Sequence, residues 1–236
     1  MHKHDRSQLL ARWGVDIPSD LLTLALTHRS WAYEHDSKHN ERLEFLGDSI
    51  LGAVVAEQIF HDYPDKSDGE LSKIKSAAVS ERALADIARG LELGDYIRLG
   101  KGEERSGGRD KDSILSDTVE ALIAATYEAG GLAVVIDTVR RHLKEKIIEA
   151  TRMGPALDWR TALEEKAREL GIKGDISYQL HAEGPDHAKV YTACAFIGAT
   201  EWGRGEATSR KAAKLAACED GYHRLLTNTP YSQNNA

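Results

Sequence analysis

The stretch Asn40–Gly52, NERLEFLGDSILG, sets Glu41, Glu44 and Asp48 three and four residues apart, the spacing of one helix face. At about 100° per residue the three side chains project within roughly 60° of one another, so they form a single acidic stripe. Continued, the stripe reaches Gly52 and Val55, and the adjoining faces carry Leu46, Ile50 and Leu51. It therefore leads into packed protein. Carboxylates aligned on a partly buried face repel one another and lose hydration, so they need a cation or must take up protons.

The stretch Ser113–Gly130, SILSDTVEALIAATYEAG, repeats the theme. Asp117 and Glu120 stand three apart on a helix whose same face continues as Ala121 and Ala124, small residues that let another helix approach closely. Two such helices side by side make an all-oxygen site suited to Mg²⁺, with Mn²⁺ as a substitute, and phosphodiester hydrolysis is the reaction that site serves best. Any one acid on a helix face is ordinarily a solvated charge; the set on two helices is what points to metal.

Around these segments the periodicity is helical from about Ser7 to Ile148. Breaks fall at Gly14–Ser19, at Tyr63–Gly69, through the glycine-rich Gly94–Asp112, and at Gly130 and Gly131. We expect an all-α domain over residues 1–148. Residues 149–157, with Gly154 and Pro155 and little periodicity, read as a linker. From Asp158 the pattern changes. Trp159–Leu170 is helical, Ile176–Glu183 and Lys189–Ile197 alternate as strands about a GPDH turn, a short strand lies around Ala199–Trp202, and after GRGE a helix runs from about Thr208 to Leu226. The expectation for residues 158–227 is a small α-β-β-β-α domain, with a flexible polar tail over 228–236.

Composition narrows the class. With 236 residues, 41% hydrophobic, 29% charged and five prolines, the chain has enough apolar material for a core of two domains. Cys194 and Cys218 are the two cysteines, too few for a disulfide framework and without a CxxC pair, which fits a reducing cytoplasm. The N-terminal MHKHDRSQLLARWGVDI has no signal-peptide run, and no stretch reads as the roughly 18 apolar residues of a membrane span. The net charge of −7 argues by itself against a polyanion partner, unless the excess acid is gathered where it binds cations.

The segments NERLEFLGDSILG and SILSDTVEALIAA resemble the two acidic signature segments of the ribonuclease III family. The likeness extends through THRS at Thr27–Ser30, YPDKSDGELSKIKS, and the glycine-rich KGEERSGGR. It implies a divalent-metal endonuclease acting on double-stranded RNA in ribosomal RNA and mRNA processing. By the same resemblance Glu44, Asp117 and Glu120 hold the metal, Asp48 joins them and works with Glu120 at the scissile phosphate, and Glu41 contributes nearby. Asp68, standing before Gly69 where the family often has Glu, keeps the carboxylate with a shorter reach; its local alternative is a turn-stabilising Asp. The implied mechanism is in-line attack of a metal-activated water, the metal also stabilising the departing ribose oxygen, to leave 5′-phosphate and 3′-hydroxyl ends. The family works as a homodimer, with Phe45 implied at the interface; ordinary core is the alternative for that side chain.

The second domain resembles a double-stranded-RNA-binding domain in TALEE (Thr161–Glu165), GPDH (Gly184–His187) and SRKAAKLAA (Ser209–Ala217). An A-form duplex offers such a module 2′-hydroxyls in the minor groove and phosphates across the major groove. His187, beside Pro185, suits a ribose hydroxyl; Thr161, Glu164 and Glu165 suit the other minor groove, although Glu164 stands where the fold often has Gln. Arg210, Lys211 and Lys214 cluster at a helix start, where amides and dipole favour phosphate. From Asp158 to Arg224 there are ten Lys or Arg against eleven Asp or Glu, so binding must rest on that local patch. In the first domain Ser106, Gly107 and Gly108, flanked by Arg105 and Arg109, read as a phosphate-contacting loop, with a merely flexible loop as the alternative. A protein that binds double-stranded RNA without cutting it is the competing reading, opposed by carboxylates intact on both helices. A small-nucleotide phosphohydrolase would leave the second domain unexplained.

Overall fold

The computed structural model describes residues 5–154, 158–185 and 189–231. They form two compact units, Met1–Arg152 and Met153–Ala236. The first is helical throughout: α1 (Arg6–Trp13), α2 (Ser19–Ala25), α3 (Arg29–His35), α4 (Glu41–Asp62), α5 (Asp68–Ala78), α6 (Glu81–Gly90), α7 (Lys101–Arg105) and α8 (Asp112–Met153). The second has the order α9 (Trp159–Glu169), β1 (Ile176–Glu183), β2 (Val190–Ile197), β3 (Thr200–Ala207), α10 (Arg210–Thr227). The expected class, an all-α domain followed by α-β-β-β-α, is the one observed.

The first half of α8 is the core of the larger unit. Ile114, Leu115, Val119, Leu122, Ile123 and Ala125 are all buried, so this segment is buried on most of its circumference, with Asp117 and Glu120 on the half-buried remainder. By length and composition α8 is also apolar enough to cross a membrane, contrary to the sequence reading, although the apolar residues of its first half are core residues of this unit. The helix is broken at Gly131, whose φ of 76° only glycine adopts cheaply, and it then continues to Met153, further into the stretch read as linker than the sequence indicated. Ile147 and Ala150 remain buried there, which keeps the last turns helical. The glycine-rich Gly94–Asp112 stretch is also more ordered than a plain loop. It contains α7, which α3 pins: the Gly100 N–H donates to Ser30 Oγ at 2.9 Å and the Lys101 N–H to Glu34 Oε1 at 2.7 Å.

In the second unit an antiparallel sheet of order β1-β2-β3 packs against α9 and α10. Ala193, Ala195 and Ile197 of β2 turn inward with Leu163, Ala213, Ala217 and Trp202, as alternation along β2 predicts. β3 is longer than expected and runs on through GRGE, beyond the short strand expected around Ala199–Trp202. Its glycines serve packing: a Cβ on Gly203 would lie 1.9 Å from the Ala217 carbonyl oxygen, and one on Gly205 would lie 2.3 Å from the Ala217 nitrogen, so they let α10 press against the strand. Past α10, the first tail residues stay on the domain. The Tyr231 ring lies under the guanidinium groups of Arg224 and Arg204, 3.6 and 4.5 Å from its centroid, and its hydroxyl donates to Asp220 at 2.9 Å.

Candidate functional site

Helices α4 and α8 cross at Gly47. A Cβ there would lie 1.8 Å from the carbonyl oxygen of Glu120, so the backbones approach as closely as a hydrogen side chain allows. Glycine in mid-helix costs about 1 kcal/mol relative to alanine, and close approach is what that cost secures. The small α8 residues Ala121 and Ala124 are fully buried, but the tightest contact is at Gly47. Its signal was visible in the sequence as a lone glycine between Glu44 and Asp48.

That crossing gathers Glu44, Asp117 and Glu120, each half-buried, with one carboxylate oxygen apiece lying within 4.8 Å of the others. Burial raises the pKa of all three. For Glu44 and Asp117 it is the first cause, reinforced by neighbouring carboxylates, with a hydrogen bond from Ser116 opposing it at Asp117. Glu120 is pushed up to about 8 by burial and then by the charges of Asp48, Asp117 and Glu44. An all-oxygen donor set that resists ionisation in this way fits a hard divalent cation, whose charge would take the place of the protons it displaces.

Asp48 is exposed and stands outside that trio, though close enough for its charge to act on Glu120. Glu41 is held by Arg29 at 3.4 Å and His39 at 3.6 Å. Glu41, Glu44 and Asp117 line a pocket of about 510 Å³ together with His28, Arg29, Asn40, Glu103, Lys111, Ser113 and Ile114. Asp68 is not among those residues. It begins α5, exposed, while Ser67 and Glu70 form the capping box that stabilises this helix start. The Ser67 N–H, followed by Lys66, holds the Glu70 carboxyl down at about 2, so the turn-stabilising task proposed for Asp68 belongs to its neighbours. Phe45 is 77% exposed, which excludes the core alternative.

The Ser106–Gly108 loop is engaged internally. Ser106 Oγ donates to the Glu103 carbonyl at 3.0 Å, Gly108 is buried against Glu103, and the Arg109 guanidinium grips both carboxylate oxygens of Glu104 at 2.6 and 2.7 Å. Gly107, at φ 77°, is exposed. In the second unit the Thr161 hydroxyl donates to Asp158 at 2.6 Å, Glu164 pairs with Arg160 at 3.1 Å, and Glu165 and Pro185 are exposed. His187 lies outside the described residues. Arg210, Lys211 and Lys214 open α10, capped by Ser209. Arg210 lies 5.7 Å from the Tyr191 ring and Lys214 5.1 Å from the Tyr178 ring, so two of the three cations are braced from behind by aromatic faces.

A stability consequence follows from the acid trio. A carboxyl whose folded pKa lies above its unfolded value holds its proton more tightly when folded, so its contribution is complete below about 4.5 and is lost as pH rises through about 8. Glu120, facing Asp48 and Glu44 from α4 and Asp117 from its own helix, is therefore expected to lower the Tm of chelator-treated protein between pH 5 and pH 8. Glu120→Gln should remove much of that fall and Mg²⁺ should reverse it, as circular-dichroism melts would register. A metal-free Tm flat across this range in the wild type would refute the assignment.

A family model described as Ribonuclease-III-like matches residues 18–147, and one described as double-stranded RNA binding motif matches residues 159–225. The chain is 46% identical over 229 residues to the ribonuclease 3 of Nocardia farcinica, covering 95% of each. It is 47% identical over 225 residues to the ribonuclease 3 of Leifsonia xyli, covering 95% of this chain and 94% of that one. Among solved structures, the nuclease domain of ribonuclease III from Campylobacter jejuni, studied for flexibility in a region involved in dimer formation, matches with a TM-score of 0.57 at 38% identity. That match covers 60% of this chain and 98% of the other.

Proposed function

The chain belongs to the ribonuclease III family, and we propose that its own acid trio at the α4–α8 crossing carries the cleavage, Glu44, Asp117 and Glu120 holding Mg²⁺ or, in substitution, Mn²⁺. It is an endoribonuclease of double-stranded RNA that depends on a divalent metal. The observation that carries the site assignment is the convergence of the three half-buried carboxylates within 4.8 Å. When bound, the ion supplies Lewis acidity, lowering the pKa of a water and drawing charge off the phosphate.

The protein's part is to hold and to orient. Gly47 sets the spacing of the two acid-bearing helices. Asp48, exposed beside the trio, would work with Glu120 at the scissile phosphate, and Glu41, paired with Arg29 and His39, would contribute at the pocket edge. Asp68 retains an exposed carboxylate at the start of α5, a secondary participant. In-line hydrolysis would leave 5′-phosphate and 3′-hydroxyl ends. A homodimer, with the exposed Phe45 in its interface, would bring one such site to each strand of the duplex. Precursor ribosomal RNA and structured messages in the cytoplasm are the expected substrates.

In the second domain Arg210, Lys211 and Lys214 would take phosphates, while Thr161, Glu164, Glu165, Pro185 and His187 would face the minor grooves. Ser106, Gly107 and Gly108 would add a contact in the nuclease domain, with Gly107 the exposed backbone of that loop. The full chain is tested on a labelled duplex of about two helical turns, with Mg²⁺ and with chelator, on a denaturing gel. Magnesium-dependent cuts in both strands support the reading; a bound but uncut duplex overturns it. Replacing Arg210, Lys211 and Lys214 together by Gln should weaken duplex binding and flatten its salt dependence by about 0.9 for every phosphate no longer neutralised. A triple variant with an unchanged slope would place the phosphate-binding cations elsewhere.

A further inference from the structure

The pocket beside the acid trio has two cations in its wall, Arg29 and Lys111, and their surroundings differ. Lys111 is committed to the scaffold: its ammonium donates to Glu103 Oε1 at 2.5 Å and to Ser106 Oγ at 3.0 Å, closing the turn that leads into α8. Arg29 stands at the start of α3 with 65% of its side chain exposed, and its one ion pair among the described residues is the 3.4 Å contact with Glu41, itself 45% exposed. A pair that long and that wet contributes little, and it leaves most of the five guanidinium donors without a protein partner. The charge is nevertheless well placed. It shares the pocket wall with Glu44 and Asp117, and its charge opposes the rise in their pKa. The neighbouring His28 is fixed, its ring tied to Ser30 Oγ at 2.8 Å, and burial lowers its pKa.

From this arrangement we infer that Arg29 is a substrate-positioning residue, exchanging Glu41 for a phosphate of the RNA backbone next to the one being cut, with the pocket receiving that nucleotide. The inference rests on the nuclease reading above and adds a residue to it. A planar guanidinium suits two phosphate oxygens at once. An acid cluster repels an incoming phosphate unless a cation stands beside it, and Arg29 is the wall cation with donors to spare. Its weak pair with Glu41 keeps it over the pocket in the free protein without binding it too firmly to be released. Glu41 then serves as a holder for Arg29 as much as a contributor to the acidic site.

The test is cleavage of the labelled duplex by the full chain and by Arg29→Gln and Arg29→Lys, across salt concentration and across Mg²⁺ concentration, with thermal melts to establish that each variant is folded. Arg29→Gln is expected to lower kcat/KM roughly ten- to a hundredfold at low salt, mainly through KM, and to flatten the salt dependence by about 0.9 if Arg29 neutralises one phosphate. Arg29→Lys should restore the slope and only part of the rate, and the Mg²⁺ requirement should stay that of the wild type. An unaltered salt slope in Arg29→Gln overturns the inference, as does a loss confined to kcat with a raised Mg²⁺ requirement, which would make Arg29 a regulator of the carboxylates instead. A wild-type protein that leaves the duplex uncut overturns the nuclease reading and this inference together.

Discussion

Glu120→Gln is expected to cripple strand cleavage and to leave duplex binding near that of the wild type. The substitution keeps the shape of the side chain and removes its charge from a trio whose other members, Glu44 and Asp117, remain within reach of one another. Replacing an outer partner of a metal ligand already costs about ten- to a hundredfold; losing the carboxylate of a proposed ligand should cost more than about a hundredfold in kcat/KM, with partial recovery at high Mg²⁺ concentration. Binding is expected to survive because the cations opening α10 belong to the other domain and are untouched. The variant should also be no less stable than the wild type in chelator at pH 8, since an amide in that half-buried position carries no charge to desolvate. Cleavage assays run beside filter binding on the same folded protein decide the matter. A parallel loss of binding and cleavage would assign Glu120 to general structure.

Such a prediction could be made from sequence because the acid spacing is local. Glu41, Glu44 and Asp48 on one turn pattern, and Asp117 and Glu120 on another, are properties of a single helix each, and helical periodicity is the strongest signal a lone sequence carries. The small domain was legible for the same reason: alternation along β2 is enough to turn Ala193, Ala195 and Ile197 to one face, the face that is buried. What escaped were features whose cause lies on another element. The expected third strand stops at Trp202, yet Gly203 and Gly205 lie within β3, where their lack of a side chain gives α10 room. Tyr231 sits in a polar tail with no periodicity, and it is held by Arg204 and Arg224, which only the folded domain brings to it. Arg29 could be quoted as part of THRS, but its place in one pocket wall with Glu44 and Asp117 depends on the start of α3 meeting the starts of α4 and α8 there, a relation no spacing encodes. The division between Asp48 and the trio is of this kind too, since side-chain exposure, not position along α4, separates it from Glu44.

Gly47 offers the sharpest test of how the two helices make the site. A methyl group there meets the Glu120 carbonyl oxygen at 1.8 Å, where real contacts of that type do not fall below 3.0 Å, so Gly47→Ala must push α4 and α8 apart by roughly an ångström. Two effects then compete in stability. Alanine favours the helix by about 1 kcal/mol over glycine, while overpacking costs about 1–3 kcal/mol, so the net loss is modest and the protein should fold. The site has no such compensation. Glu44 lies less than one turn from Gly47 and moves with α4, whereas Asp117 and Glu120 move with α8, and metal–ligand distances tolerate only about 0.2 Å. A displacement near 1 Å is expected to reduce kcat/KM by about a hundredfold and to raise the Mg²⁺ concentration for half-maximal cleavage, with a far smaller change in Tm. Gly52→Ala is the control: it lies on the same helix with nothing within 4 Å of the added Cβ, so it should cleave as the wild type does and melt no lower. Wild-type cleavage and Mg²⁺ requirement in a folded Gly47→Ala protein would mean that the carboxylate spacing is set elsewhere in the domain, and that the glycine serves packing alone.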